Sequence, residues 1–388
     1  MKSDFINRAR SYMRLQKSNK RAEQAQAKGV AALPFGPSSL NLMMTDACNS
    51  QCIMCGKDYQ SCGSRQFISL DDLKTIYSNL PMGDIVDVIY GGGGEPFLNP
   101  DLGRIAACTK KYYPVIQHTV ISNMIQWKLD TIGQLLDNQV HFLVSINAAC
   151  KKTFRDVSGV DAFDAVIEHV GKLVALGKER GSGSKVSISM VLMQQNIEEL
   201  AEFITLAAKL GVDDVKTLYV RVYPENHRVK ENRVSTIKST DSLFFFQEKS
   251  DSIVRDAEKM AADKNIRFEH EPLFSCSKTG ERNCCEPWKS LFINFNGDVY
   301  PCPASEILFK PKVDAEHYQS GNILKQHYTE FWNNEFWQAI RVSNARVKRQ
   351  DIVPECRCCG NAINWLGSGT KASHILDWTE AESSDMKL

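Results

Sequence analysis

Short apolar runs alternate with longer segments of helical periodicity along the first two thirds of the chain. Runs of about four to eight residues that are rich in Val, Ile, Leu and aromatic residues predict strands, whereas apolar residues spaced three or four apart predict helices. We predict six strands, at 39–44, 84–90, 117–122, 140–146, 186–192 and 215–222. The helices are predicted near 69–80, 100–112, 127–137, 161–177 and 196–210.

This β/α alternation predicts a parallel sheet, because parallel strands need crossover connections and these are usually helices. Six such units indicate an α/β fold with a partial (β/α)6 barrel over 38–240, followed by a linking helix over 241–267. In barrels of this kind the functional residues lie at the carboxyl ends of the strands. Candidate chemistry is therefore expected just after each predicted strand.

The segments before and after the predicted barrel differ from it in composition and in their hydrophobic pattern. Residues 1–37 combine a basic, amphipathic helical pattern with a linker that contains Pro and Gly, and we expect the helix to pack against the barrel. Residues 268–366 are dense in Cys, Pro and Trp, which predicts a small second domain that needs a staple of metal or disulfide bonds. The polar residues 367–388 predict a tail.

The composition changes this picture in one respect, the use of cysteine. The chain has 388 residues, 43% of them apolar and 24% charged, which is ordinary for a globular protein. A net charge of +1 indicates no general attraction to nucleic acid or to an anionic membrane, and no apolar run approaches the ~20 residues that span a bilayer. Without a signal-peptide pattern, the 13 cysteines are expected to be cytoplasmic, reduced and clustered in metal sites.

Three of these cysteines, Cys48, Cys52 and Cys55, follow the first predicted strand at the spacing C-x₃-C-x₂-C. A loop this short can direct three thiolates toward one metal or cluster site. Structural zinc takes four ligands, whereas three thiolates on a four-iron cluster leave one iron open. The spacing alone leaves an open iron–sulfur site, a zinc site with a fourth ligand from elsewhere, and a chance arrangement as alternatives.

A run of four glycines, Gly91 to Gly94, follows the second predicted strand and precedes Glu95. Glycine lets a ligand approach the backbone closely, and a carboxylate can hold the ammonium group of a ligand. A plain flexible turn is the alternative for a glycine run by itself. The cysteine motif on the preceding strand favours the ligand site.

Together these motifs resemble those of the radical SAM superfamily, over about residues 38–365. The resemblance implies that the three cysteines hold a [4Fe–4S] cluster whose open iron binds S-adenosylmethionine (SAM). It implies that the glycine turn binds the SAM amino group, through Gly92, Gly93, Gly94 and Glu95. It further implies contacts to the ribose from Ser122 and Asn123, to the SAM carboxylate from Ser145, and to adenine from the backbone of Met54.

The chain departs from the family pattern at three positions. Met54 replaces the usual aromatic residue before the third cysteine, and Asn147 replaces a common Asp after the fourth strand. Ser158 stands where the family often has an Arg that clamps the SAM carboxylate, which leaves Arg155 and Lys151 as alternatives.

The second domain resembles the SPASM/twitch extension of the same superfamily, which carries auxiliary iron–sulfur clusters. The resemblance implies one auxiliary [4Fe–4S] cluster held by Cys285, Cys302, Cys356 and Cys359. The remaining cysteines of this region, Cys276, Cys284 and Cys358, are one too few for a second cluster. A zinc ribbon is the alternative for these cysteines.

The resemblance implies an oxidoreductase or epimerase that cleaves SAM with an electron from a donor such as flavodoxin or ferredoxin. The 5′-deoxyadenosyl radical then removes a hydrogen atom from a substrate C–H. In a dehydrogenation the auxiliary cluster accepts the remaining electron; in an epimerisation a thiol returns a hydrogen atom, and Cys150 is the candidate, ahead of Cys62, Cys276 and Cys284. The polar run after the last barrel strand supplies candidate substrate ligands or bases, Arg221, Tyr223, Glu225 and His227.

The substrate class follows only from an indirect argument. Residues 1–37 are shorter than the leader-binding domain that peptide maturases often carry before the barrel, so we expect a small hydroxylated substrate of the sugar, aminocyclitol or aminoglycoside type. A maturase of a ribosomally made peptide is the alternative. A zinc-stapled binding module without catalysis is the alternative of a different class.

Overall fold

A computed structural model describes residues 2–55, 67–81, 83–221, 237, 239–276, 284–302 and 320–345. The strands, in chain order, are β1 (Ser39–Leu42), β2 (Asp87–Tyr90), β3 (Gln117–Ser122), β4 (His141–Ser145), β5 (Val186–Leu192), β6 (Asp214–Tyr219), β7 (Arg267–Glu269), β8 (Ser290–Ile293) and β9 (Val299–Tyr300). The helices are α1 (Lys2–Ala27), α2 (Leu70–Ser78), α3 (Leu102–Tyr112), α4 (Leu129–Asp137), α5 (Lys151–Ser158), α6 (Phe163–Glu179), α7 (Leu200–Leu210), α8 (Gln247–Asp263), α9 (Glu286–Lys289), α10 (Tyr328–Phe331) and α11 (Glu335–Ala345). No helix of the described ranges is long and apolar enough to cross a bilayer.

The strands form one open sheet in the order β7-β6-β5-β4-β3-β2-β1-β8-β9. All neighbouring strands are parallel except β8 and β9, which are antiparallel. The predicted α/β fold with a mostly parallel sheet is confirmed, and the sheet is open. The sheet extends beyond the six predicted strands at both edges. At one edge β7, which follows α8, pairs with β6, and at the other edge β8 pairs with β1.

Each of the six predicted strands is present, and the largest shifts, of three residues, are at the start of β2 and at the end of β6. Residues 84 and 85 do not join the strand, because groups from elsewhere engage the Asp84 carboxylate and the Ile85 carbonyl. Asp84 accepts hydrogen bonds from Arg21 at 3.0 Å and from the Gly36 N–H at 3.0 Å. Arg14 donates to the carbonyl of Ile85 at 3.1 Å. Helix α1 and the linker after it therefore set where β2 begins.

The two faces of the sheet differ in exposure. In β3 and β4 every second residue is fully buried, such as Val120, Phe142 and Val144, and these side chains belong to the apolar core. The residues between them are only partly buried and face the opposite side of the sheet, the side that is concave in a partial barrel. Because side chains alternate along a strand, the concave face carries a set of residues independent of the core.

Helix α5 is the described barrel helix that the periodicity missed. It has only eight residues and ends at Gly159, whose φ of 72° forms a left-handed cap. Its length gives about two turns, too few to show a helical repeat in the sequence.

Asp87, the first residue of β2, predicts how stability depends on pH. Burial raises the pKa of Asp87 to about 6, although the Ser39 hydroxyl, at 2.9 Å, and Lys289 oppose the shift. The folded chain therefore retains a proton that the unfolded chain has lost between about pH 4 and pH 6, so this contribution to stability falls as pH rises through that window. We expect Asp87→Asn to stabilise the fold by about 1–3 kcal/mol near pH 7.5 and by about half as much near pH 5, measured by thermal unfolding.

The control for this prediction is Asp71→Asn, which changes an exposed aspartate that pairs with Lys74. Its effect on the unfolding temperature is expected to be small, because exposed ion pairs contribute little. An equal gain from Asp87→Asn at both pH values would contradict the assignment of the buried carboxyl.

Candidate functional site

The cysteine loop, residues 45–55, leaves the carboxyl end of β1 and runs along the glycine turn that follows β2. The Gly94 N–H donates to the carbonyl of Thr45 at 2.9 Å, and the Glu95 N–H donates to the carbonyl of Ala47 at 2.8 Å. A Cβ atom at Gly94 would lie 2.0 Å from the Ala47 oxygen. Glycine is thus required at position 94 because the cysteine loop packs against it. The sequence analysis expected glycine here for a different reason, the close approach of a ligand.

The opposite side of the cysteine loop is held by helix α5. The N–H groups of Gln51 and Ile53 donate to the carbonyls of Ser158 and Val157, each at 2.9 Å. These are carbonyls of the last helical turn, which lack partners within the helix. The cysteine loop is therefore clamped between the glycine turn and the C-terminal end of α5.

The three thiols of the loop are partly buried and are not in disulfide bonds. The hydroxyl of Ser50 lies 3.4 Å from the sulfur of Cys48 and 3.6 Å from that of Cys52. Burial raises the pKa of Cys48 and raises that of Cys52 to about 12, and the charge of Cys55 adds to both shifts. The three sulfurs are thus close enough to interact electrostatically, and Cys48 and Cys52 hold their protons more tightly than an exposed cysteine does.

This donor set fits an iron–sulfur cluster better than a single ion. Within the described ranges no three His, Cys, Asp or Glu side chains converge closely enough to hold one metal ion. A four-iron cluster does not require such convergence, because each thiolate binds a different iron. The loop also holds a buried amide nitrogen, Nδ2 of Asn49, without an acceptor in the described structure. Buried donors of this kind are normally satisfied, which indicates a further group at the loop.

Glu95 joins the glycine turn to the end of β3. It is only 3% exposed. Its Oε1 accepts from the Ser122 hydroxyl at 2.7 Å and the Phe97 N–H at 3.1 Å, and its Oε2 accepts from the Asn123 N–H at 2.8 Å. Burial raises the pKa of Glu95, and these three bonds oppose the shift. One acceptor position remains on Oε2, so the prediction that Glu95 holds the SAM amino group depends on that position.

Asn123 continues the network from Glu95 into the cysteine loop. Its Nδ2 donates to Oδ1 of Asn49 at 2.7 Å and to the Ser50 hydroxyl at 3.4 Å. Of the two predicted ribose contacts, Asn123 thus braces the cysteine loop directly, and Ser122 bonds to Glu95. The roles of Asn49 and Ser50 were missed by the sequence argument, although both stand between the motif cysteines.

The residues at the end of β4 lie on the concave side of the sheet. Ser145, the predicted contact to the SAM carboxylate, accepts from the hydroxyl of Ser189 on β5 at 3.5 Å. Asn147 has a φ of 63° and accepts from the Val191 N–H at 2.8 Å. Asn tolerates this left-handed conformation better than most residues, so its side chain ties the ends of β4 and β5 together.

The candidate hydrogen donor Cys150 is exposed at the N-terminal end of α5. Its thiol donates to Oε1 of Glu199 at 3.2 Å, and the Thr153 hydroxyl donates to the same oxygen. The Ala149 N–H donates to Oε2 of Glu199 at 2.6 Å. Cys150 lies at the end of α5 remote from the cysteine loop, roughly 12 Å away along the helix axis. Glu199 was missed by the sequence argument, since no motif marks it.

The other predicted site residues fall into three groups. Lys151, an alternative carboxylate clamp, pairs with Asp164, and Arg155 lies exposed near Asp156. Arg221 forms an ion pair with Glu271 at the rim. Met54, Cys284, Cys285 and Cys302 are partly buried, and Cys276 is exposed. Outside the described residues lie Cys62, Tyr223, Glu225, His227, Cys356, Cys358, Cys359 and the predicted tail.

Two family models match the chain. One is described as the Radical SAM superfamily and covers residues 42–207, and the other is described as the SPASM iron–sulfur cluster-binding domain and covers residues 284–360. The first includes the cysteine loop and the glycine turn, and the second includes Cys285 and Cys302.

Curated relatives cover the barrel region. A probable GTP 3′,8-cyclase of Sulfurisphaera tokodaii is 27% identical over 248 residues, which are 61% of this chain and 69% of the relative. A probable GTP 3′,8-cyclase of Saccharolobus islandicus is 29% identical over 235 residues, 60% of this chain and 68% of the relative.

Solved structures share the fold over most of the chain. SuiB of Streptococcus suis bound to its precursor peptide SuiA has a TM-score of 0.62 at 17% identity and covers 92% of this chain and 77% of that one. SuiB bound to S-adenosylmethionine has a TM-score of 0.61 at 18% identity, over 83% of this chain and 72% of that one. For anSMEcpe with bound AdoMet the TM-score is 0.57 at 14% identity, over 90% and 100% of the two chains.

The family matches and the geometry lead to one conclusion. Together the two family models cover more than half of the chain, and the motif cysteines, the glycine turn and the end of β3 form one connected network in an open α/β sheet. The chain belongs to the radical SAM superfamily, and it is an enzyme that binds SAM and [4Fe–4S] clusters through its barrel and its C-terminal SPASM domain.

Proposed function

We propose that this enzyme uses the 5′-deoxyadenosyl radical to oxidise an extended polar substrate, a peptide segment, bound across the concave face of the sheet. The cofactor supplies the radical, and the chain binds, orients and shields the substrate. The observation that carries the proposal is a row of polar side chains in register across four strands: Ser145, Ser189, Lys216 and Glu269.

This polar row begins at the predicted SAM site and runs away from it. Ser145 and Ser189 are hydrogen-bonded, and Lys216 pairs with Glu269 at 3.1 Å with side-chain exposures of 41% and 38%. Three strand spacings give the row a length of about 14 Å, which matches roughly four residues of an extended peptide. An elongated surface with alternating donors and acceptors suits the backbone amides of a peptide.

The named relatives support two substrate classes. SuiB, a solved neighbour, was crystallised with a precursor peptide, which supports the peptide proposal. The curated relatives are named for a reaction of GTP, and the paired hydroxyls of Ser145 and Ser189 suit a small hydroxylated molecule. A small hydroxylated substrate, such as a sugar, an aminocyclitol or a nucleotide, is therefore the second candidate.

The chemistry we propose is an oxidation. SAM and its cluster would supply the radical that removes a hydrogen atom from the substrate, and a flavodoxin or ferredoxin would supply the electron that cleaves SAM. The substrate would then lose a proton to solvent, and the auxiliary cluster would accept its second electron. Epimerisation is the other branch, with Cys150 as the hydrogen donor. If the product takes up deuterium from the solvent, and this uptake is lost in Cys150→Ala, the reaction is an epimerisation and not an oxidation.

The test uses the anaerobically reconstituted full chain with SAM, reductant and either peptides or small hydroxylated compounds. We expect a product 2 Da lighter than its peptide substrate, and we expect Lys216→Met and Ser189→Ala to raise KM by about 10-fold, a loss of roughly 1.4 kcal/mol of binding. Lys209→Met changes an exposed lysine on α7 and is the matched control. Turnover of small compounds only, with KM unchanged in both variants, would contradict the peptide proposal.

A further inference from the structure

The C-terminal end of helix α1 contacts two adjacent cysteines of the SPASM region, Cys284 and Cys285. Gln26, in its last turn, is 8% exposed. Its Nε2 donates to the carbonyl of Cys284 at 3.1 Å, and its Oε1 accepts from the thiol of Cys285. Cys285 is a predicted ligand of the auxiliary cluster. An uncharged amide from the start of the chain therefore touches a sulfur that is expected to bind iron.

The position of Gln26 is fixed by its surroundings. Ala22 and Ala25 on the same helix are buried in the core. The linker after α1 is tied to the SPASM region, because Trp288 donates to the carbonyl of Val30 at 2.9 Å and Arg341 donates to that of Ala31 at 2.8 Å. These contacts hold the side chain of Gln26 beside Cys285.

The hydrogen bond must change when Cys285 binds iron. A thiol donates to the amide oxygen, whereas an iron-bound thiolate has no proton and can only accept. Rotation of the amide by half a turn brings its N–H to the sulfur and gives up the hydrogen bond from Nε2 to the Cys284 carbonyl, so the amide exchanges a neutral acceptor for a thiolate. Such N–H donors stabilise the reduced cluster more than the oxidised one, since reduction adds negative charge near the sulfur.

We propose that Gln26 is a positioning residue for the auxiliary cluster, whose side-chain N–H donates to the Cys285 sulfur and raises the reduction potential of that cluster. The inference rests on the proposed function and on Cys285 as a predicted ligand of its auxiliary cluster. The charges around Cys285 are mixed: Glu23 and Glu286 oppose a negative sulfur, and Lys289 favours it. A neutral donor at the sulfur would help an enzyme that passes the substrate electron to this cluster.

The potential is measured by redox titration followed by electron paramagnetic resonance. The full chain carries Cys48→Ala, Cys52→Ala and Cys55→Ala, so that only auxiliary iron contributes to the signal. We expect Gln26→Leu to lower the potential, and Gln26→Glu to lower it further, because a carboxylate presents only acceptors to the sulfur. Gln24→Leu, an exposed glutamine on the same helix, is the matched control and is expected to leave the potential unchanged.

A second measurement tests the contact between Gln26 and the cluster even if a variant fails to take up iron. In the chain with Gln26 intact, labelling glutamine side-chain amides with ¹⁵N is expected to change the nitrogen coupling to the reduced cluster. An unchanged potential in an iron-loaded Gln26→Leu, or a nitrogen coupling insensitive to the label, would overturn the inference. A full auxiliary cluster in Cys285→Ala would also overturn it, whereas substrate oxidation by the chain with all its cysteines tests the proposed function separately.

Discussion

Replacing Cys48, Cys52 or Cys55 by alanine is expected to abolish the release of 5′-deoxyadenosine from SAM under strong reductant. Each thiolate binds a different iron, so a single loss removes one corner of the cluster while the loop still holds the other two sulfurs. Because changes around metal ligands already cost about 10–100-fold, the loss of a ligand should exceed roughly 100-fold. The measurement is 5′-deoxyadenosine per chain after anaerobic reconstitution.

Two further cysteines give this experiment its controls. Cys108→Ala changes a partly buried cysteine on α3 outside the site and should leave SAM cleavage intact. Cys302→Ala should retain some SAM cleavage but form no product, since it removes a predicted ligand of the auxiliary cluster alone. Normal SAM cleavage by the Cys52→Ala chain would refute the assignment of the motif.

Gly94→Ala should have the second largest effect, although it alters no cysteine. The three atoms nearest to an added Cβ are backbone atoms of the cysteine loop, with the Ala47 oxygen at 2.0 Å and the Thr45 oxygen at 2.8 Å. Backbone cannot turn aside as a flexible side chain can, so the loop must shift. We expect overpacking to cost about 1–3 kcal/mol or more of stability, together with the loss of most SAM cleavage and of iron at this site.

The matched control for this change is Gly83→Ala, because nothing lies within 4 Å of a Cβ atom at Gly83. Its iron content and SAM cleavage should equal those of the unaltered chain. A Gly94→Ala chain with full iron and undiminished cleavage would show that the close contact between the glycine turn and the cysteine loop is dispensable.

Local patterns were sufficient for the barrel and for the position of its chemistry. The six predicted strands are present, and the cysteine loop and the glycine turn lie at the carboxyl ends of β1 and β2 as expected. Hydrophobic periodicity reports whether a side chain is buried, and parallel pairing places the strand ends at one edge. These properties depend on near neighbours in the chain and are therefore readable from it.

The partners of each element were decided only by the tertiary structure. Periodicity carries no information on which strand lies beside β1, and β8 takes that place from 250 residues further along the chain. Glu95, read as a ligand group, accepts three hydrogen bonds from β3 and its own turn. The sequence around Glu95 predicts a ligand contact, but it does not predict the hydrogen bonds that join the glycine turn to the end of β3.

Buried polar contacts between distant segments show most clearly what local sequence pattern does not predict. Arg341 is fully buried, stacks 4.4 Å above the ring of Trp332, and donates to the carbonyls of Pro287 and Ala31. Gln26 reaches Cys285 across 259 positions. The sequence by itself determined the six barrel strands, most of the barrel helices, the family and the motif cysteines, because these follow from local pattern. Which side chains complete the site was decided by long-range packing, since a polar residue buried by a remote segment has no local signal that distinguishes it from an exposed one.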